Sequence, residues 1–325
     1  MAKARAIVKR RKAVRNIRKI TKTMQMIATA KFQKSLKRAV GTKPYTMKVR
    51  ELVRELAASV GNVEHPLLRR PTPQTRTGVI ALVVITSNRG LAGAYNGNVL
   101  RRALSFMHEA EAQGNRVELY VVGKKGINYF NYQKRPMAFR CEARDVPTYA
   151  DADRVLQPLL KRFTDEQVDA VHVAYMNFIS TGVQRPDVLT LLPLAGVQEA
   201  TEHIARQVAE KEAQAQAGAM AMQPGEAQVY PEAHGLHAEV IYDFSPSARE
   251  LLDELLPLTV KTAFFQTFLD ATTSEHVARM VAMKSATDNA DKMARALTLQ
   301  YNRARQSQIT TELSEIMGGV EAMKG

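Results

Sequence analysis

Two kinds of hydrophobic spacing divide the chain. Near the N-terminus Val14, Ile17, Ile20, Met24 and Ile27 step by three or four positions, the spacing of one helix face. The pattern predicts a single helix from residue 3 to about 60 with a heptad-like stripe. Gly41 and Pro44 interrupt it. A proline has no N–H to continue the helical ladder, so a kink is expected there. The stretch GNVEHPLLRRPTPQTRTG that follows reads as a linker from its Pro, Gly and Thr content. The spacing then changes. VIALVVITSNRG is a continuous apolar run closed by a polar turn, as in a strand buried on both faces.

From there helix and strand patterns alternate. AYNGNVLRRALSFMHEAEAQG, KKGINYFNYQ and ADADRVLQPLLKRFTDEQ read as helices, and RVELYVVG, MAFRCEA, VDAVHVAYMNFI and DVLTLLPL as strands. Such alternation predicts an open α/β sheet covered on both faces. Residues 205–235, rich in Ala, Gln, Glu and Gly, carry no core periodicity and predict a mobile surface insertion. HAEVIYDFSP returns to a strand pattern.

The last element begins at SPSARELLDELL. Ser245 or Ser247 is placed to cap it, and Glu250 three residues after Ser247 makes a capping-box arrangement. Apolar positions at Val277, Met280, Val281, Met293, Leu297, Tyr301, Leu313, Ile316 and Val320 run almost to the end, with Pro257 the one breaker before Gly318 and Gly319. The expected helix has about 70 residues and a length of about 105 Å.

The two terminal helices each carry an apolar stripe without an assigned partner in the sheet, so they are expected to pair. The sheet joins the end of one to the start of the other, which makes them antiparallel. Setting Ser247 beside residues 56–60 gives paired numbers that sum to about 303. That register puts Pro257 opposite residues 44–48 and Met24 near Arg279. It leaves the last helix overrunning the first by about 25 residues, or about 38 Å. Ile309, Leu313, Ile316 and Met317 in the overrun then have nothing in the chain to cover them, the mark of a binding surface. The expected organisation is an N-terminal coiled-coil helix (1–60), a linker (61–77), a central α/β domain with its insertion (78–244) and a C-terminal coiled-coil helix (245–325).

Charge adds a partner class. Seventeen Lys and Arg fall within residues 1–50, the first acidic residue is Glu51, and the net charge is +14. An anionic partner is implied: nucleic acid, an acidic membrane surface or an acidic protein face. A basic coiled-coil nucleic-acid-binding protein is therefore an alternative reading. The continuous apolar stripe and the lack of interleaved aromatics weigh against it. No apolar run reaches the roughly 18 residues of a membrane span, so no direct bilayer insertion is expected. Cys141 is the single cysteine, which excludes an internal disulfide or thiolate metal cage.

No catalytic set is legible. SNRGLAGAYNG follows a strand and precedes a helix, but it does not fit GxGxxG, and GxxxxGK[ST] is absent. It is expected to be a structural turn. Of the histidines only His234 and His237 are close together, and two without a third ligand make a poor metal site. No cofactor, metal or catalytic residue is expected.

Three stretches carry a family resemblance: IRKITKTMQMIATAKFQKS, ITSNRGLAGAYN, and ARMVAMKSATDNADKMARALTLQYNRARQSQITTELSEIMGG. In these the chain resembles the gamma subunit of F-type ATP synthase, across both helices and the central domain in order. The resemblance implies a long antiparallel coiled coil of the N- and C-terminal helices plus a central open, Rossmann-like α/β domain. It implies a non-catalytic central-stalk rotor inside a ring of alpha and beta subunits. The foot would meet the epsilon subunit and the membrane rotor ring of c subunits, peripherally, on the cytoplasmic face of the bacterial inner membrane. Rotation driven by protons would push each beta subunit through its catalytic states. By the same resemblance part of the basic face meets an acidic segment of beta, Arg89 faces a beta subunit, and Met24 and Arg279 lie near the beta lever. Arg305 and Gln306 hydrogen-bond a beta loop, with Thr310 and Glu312 beside them. The insertion departs from the family and lacks the cysteine pair of its thiol-regulated members.

Overall fold

The computed structural model describes residues 2–60, 65–69, 71–72, 75–194 and 248–322. The insertion at 205–235, the HAEVIYDFSP strand, the Ser245 or Ser247 cap, His203, His234 and His237 lie outside these residues.

The described elements are α1 (Ala2–Val60), β1 (Val79–Ile85), α2 (Tyr95–Ala112), β2 (Arg116–Val122), α3 (Lys124–Tyr132), β3 (Met137–Cys141), α4 (Tyr149–Thr164), β4 (Ala170–Phe178), β5 (Gln184–Leu192) and α5 (Ala248–Ala322). The strands form one sheet in the order β3-β2-β1-β4-β5. Its pairs are parallel except β4 with β5. β1 is central, so its apolar run is buried on both sides: Ala81, Val83 and Ile85 enter one core and Leu82 and Val84 the other. The second core is closed by Val99, Leu100, Ala103 and Met107 of α2 and by Phe130 of α3. Where β2 turns into α3, Gly123 has a φ of 98°. A Cβ there would stand 2.1 Å from the Thr86 carbonyl oxygen, so this turn admits only glycine.

The first core corrects the idea that neither terminal helix has a partner in the sheet. Leu256, Val260, Ala263, Phe264 and Phe268 of α5 pack with α4 against this sheet face. Between Leu256 and Val277 α5 is buried almost all round. A helix apolar on every side sits between two layers, and here those layers are the sheet and α1.

Beyond the sheet, α1 and α5 run antiparallel as a two-helix shaft. Thr287 bonds Thr21 at 2.8 Å, Ser35 and Thr273 lie 2.7 Å apart, and Thr42 bonds Gln266 at 2.9 Å. Arg18 pairs with Asp291, and the Arg11 guanidinium lies 4.9 Å from the centre of the Tyr301 ring. The three hydroxyl pairs each sum to 308, so the register is more than one turn away from the expected 303. Pro44 then faces the neighbourhood of Phe264, and Pro257 that of Glu51. The two prolines do not share a level, and both lie inside continuous helices. The anchor for the expected register, the start of α5, carried no contact information. The true register is set where Ala28 and Ala39, both buried, let the helices approach and the hydroxyl pairs bond across the seam.

Candidate functional site

In an open α/β sheet ligands bind outside the carboxyl ends of the strands, where the strand order reverses. Here that point lies between β1 and β4, and the shaft occupies it. Phe178 at the end of β4 packs on Phe32 of α1, with ring centres 6.2 Å apart, and on Val277 of α5. The Ser274 hydroxyl bonds the Met176 carbonyl at 3.2 Å. The turn after β1 is committed to its own structure, as expected for SNRGLAGAYNG. Ser87 donates from its N–H to Asn96 at 3.0 Å and from its hydroxyl to the Arg89 carbonyl at 2.7 Å. Asn88 bonds the Ala143 backbone and accepts from the Lys124 N–H at 3.1 Å.

Beside this turn lies a cleft of about 210 Å³ between the shaft and the domain. It brings together three residues singled out in the sequence: Met24 of α1, Arg89 of the turn and Arg279 of α5. Arg279 is anchored. It pairs with Glu275 at 2.7 Å and reaches the carbonyls of Arg89 and Gly90, each at 3.4 Å. Burial pushes the Glu275 carboxyl above its ordinary pKa, against the pull of Arg279. Lys31 of α1 holds Asp145 at 2.6 Å, and Arg89 stands 3.9 Å from the same carboxylate. The hydrogen bond from Lys31 lowers the Asp145 pKa. His276, buried beneath, is lowered to about 4 by desolvation and by its cationic neighbours. The network ties α1, α5 and two loops of the domain together, while the Arg89 side chain stays 74% exposed. Lys31 and Asp145 were not singled out from the sequence, because 114 residues separate them. Glu275 was not singled out either, although it stands four residues before Arg279 on one helix, the spacing of a helical ion pair.

The other four residues lie on the far end of α5. Arg305, Gln306, Thr310 and Glu312 are all exposed. The Thr310 hydroxyl bonds the Gln306 carbonyl at 3.0 Å, and Glu312 accepts from Gln308 at 2.8 Å. Arg305 makes no ion pair among the described residues. The corrected register puts Arg305 level with the first residues of α1, not beyond them, yet its side chain still faces outward. Past this level Ile309, Leu313, Ile316 and Met317 are 50%, 58%, 66% and 62% exposed. The residues singled out thus fall in two places, a cleft where shaft meets domain and an exposed helical tip.

The chain is an α/β domain clasping a long two-helix shaft, which fills the crevice between β1 and β4. A sequence model of the ATP synthase family matches residues 3–323. The ATP synthase gamma chain of Rhodopirellula baltica is 38% identical over 326 residues, covering 100% of both chains. That of Leptospira biflexa is 35% identical, covering 99% of this chain and 100% of its own. The fold matches a chain of the Euglena gracilis mitochondrial ATP synthase OSCP/F1/c-ring structure with a TM-score of 0.61, at 16% identity, covering 99% of this chain and 95% of that one. A chain of the Tetrahymena thermophila central stalk/c-ring structure matches at 0.53 and 18% identity, over 82% and 99% of the two chains. The chain belongs to the ATP synthase gamma chain family, the central-stalk rotor subunit of that enzyme.

Proposed function

We infer that this chain couples rotation to catalysis without a reaction centre of its own. The α1–α5 shaft stands inside a ring of alpha and beta subunits. The α/β domain at its foot joins the epsilon subunit and the c-subunit rotor ring, on the cytoplasmic face of a bacterial inner membrane. Proton flow turns ring and shaft, and the beta subunits make or hydrolyse ATP. Residues 1–60 and 245–325 form the coiled-coil part and 78–244 the foot, with the front of α5 built into both.

The observation that carries this reading is the exposed end of α5. A single helix with Ile309, Leu313, Ile316 and Met317 open to water needs a sleeve. The sleeve's asymmetric contact with the shaft provides the coupling. Met24 and the exposed Arg89 at the cleft, the latter's loop held by Arg279, offer an apolar and cationic face to an acidic segment of one beta subunit. Arg305, Gln306, Thr310 and Glu312 offer donors and acceptors to a beta loop. A beta subunit that meets these groups in one conformation and not in another is shifted toward the first, as any ligand shifts a population. The open charge at Arg89 suits a sliding contact, since Coulomb attraction is long-ranged and tolerates loose packing.

Affinity purification of the tagged full-length chain from its own cells tests this. Alpha and beta subunits are expected to accompany it and to remain bound in high salt. Recovery of RNA or DNA that salt removes, with no alpha or beta subunit, would favour the nucleic-acid reading instead.

A further inference from the structure

One carboxylate of the shaft serves none of the contacts above. Asp270 of α5 is 6% exposed and, in the register set by the cross-seam bonds, lies level with Arg38 and Ala39 of α1. It has no ion pair among the described residues. Its hydrogen bond there comes from Gln266, at 3.0 Å. That amide is shared: Gln266 also donates to the Ala39 carbonyl at 3.4 Å and accepts from the Thr42 hydroxyl at 2.9 Å. Gln266 therefore stitches the two helices together while supporting the buried charge.

We propose that Asp270 is a proton-binding site within the shaft, and that its protonation tightens the α1–α5 seam where Gln266 bridges to Ala39 and Thr42. The seam lies within this chain, whichever subunits surround the shaft. A buried carboxylate with one neutral donor is costly as an anion. The neutral acid keeps the Gln266 bond and removes an uncompensated charge from the seam that Gln266 bridges. In accord with this geometry, burial raises the Asp270 pKa to about 6, against the opposing effects of Lys43 and Gln266.

The charged groups around it are few. Lys43 acts on it from α1. Arg38, the α1 residue level with it, lines with Lys34 a cleft beside Leu269 and Thr272, and neither forms an ion pair with Asp270 among the described residues. From α4, Asp153 is held by Lys261 at 3.0 Å, more than two turns away along α5. Further along α5, His276 lies near Asp145 and Lys31.

The sign follows from linkage. The folded chain holds this proton more tightly than the unfolded chain, so the seam gains stability as pH falls through about 6 toward the ordinary aspartate range. His172 and His276 act oppositely. Both are lowered to about 4, so each costs stability as pH falls below the usual histidine range. The readout must therefore be local and differential. It is hydrogen exchange of residues 36–46 in the full-length chain, for wild type against Asp270→Asn, at several pH values. Asp270→Asn resembles the protonated state, so it is expected to be the better protected form at pH 7.5. Its advantage should shrink by about tenfold between pH 7.5 and 5. Lys43→Met, at a half-buried position, leaves Asp270 in place and should move the midpoint to higher pH. An advantage that does not vary with pH, or a midpoint below 5 that Lys43→Met does not move, would overturn the proposal.

Discussion

ATPase turnover of the reconstituted complex should fall by roughly 10- to 100-fold when Arg305→Ala and Gln306→Ala are combined, the rate equivalent of losing one charge-assisted contact. Both side chains face outward from α5, and Arg305 has no ion pair among the described residues. Removing them costs the isolated chain almost nothing, so its helix content should be unchanged. The loss would arise because the contact with one beta subunit favours one catalytic conformation over the others. Assembly, circular dichroism and turnover are to be measured on the same preparation. Normal turnover in a fully assembled complex would show that these side chains do not link shaft to site.

The second large effect concerns the root of the shaft. Phe264 is fully buried where α5 packs on the sheet, with the Phe268 ring 5.2 Å away. Phe264→Ala should lower the unfolding free energy of the full-length chain by about 3–5 kcal/mol, the usual cost of emptying an aromatic site in a packed core. Phe264→Leu, which keeps most of the volume, should cost under about 1.5 kcal/mol. Denaturant titration of the three proteins makes the comparison. A loss below about 1 kcal/mol for the alanine variant would mean that the helix only rests on the sheet and is not part of its core.

How far the sequence disclosed this architecture depended on the range of the interaction. The β1 run and the alternation after it need only local pattern, and each of the helices and strands read between residues 78 and 194 is found in the structure. The overrun of α5 was legible because Leu313 and Ile316 continue a stripe that α1 is too short to cover, but the true register shortens it from the expected stretch of about 25 residues to 307–322 among the described residues. The register was not. It is set by Thr21 with Thr287 and Ser35 with Thr273, residues that look like surface positions in either helix taken alone. The double role of α5 was hidden by Lys261 and Asp270, which break up an otherwise apolar surface. At the cleft, resemblance singled out Met24, Arg89 and Arg279. Asp145, which links Arg89 to Lys31 across two loops and a helix, has no local signal at all.

If the shaft turns within its partners, motion of this chain must accompany ATP hydrolysis. Tyr132, 85% exposed at the end of α3, is a site for a probe. Tyr132→Cys in a Cys141→Ser background leaves one thiol to carry a bead. With the alpha and beta head fixed to a surface, single-molecule tracking on addition of ATP is expected to show continuous rotation in one direction. ATP hydrolysis at the normal rate with the bead stationary would contradict the account.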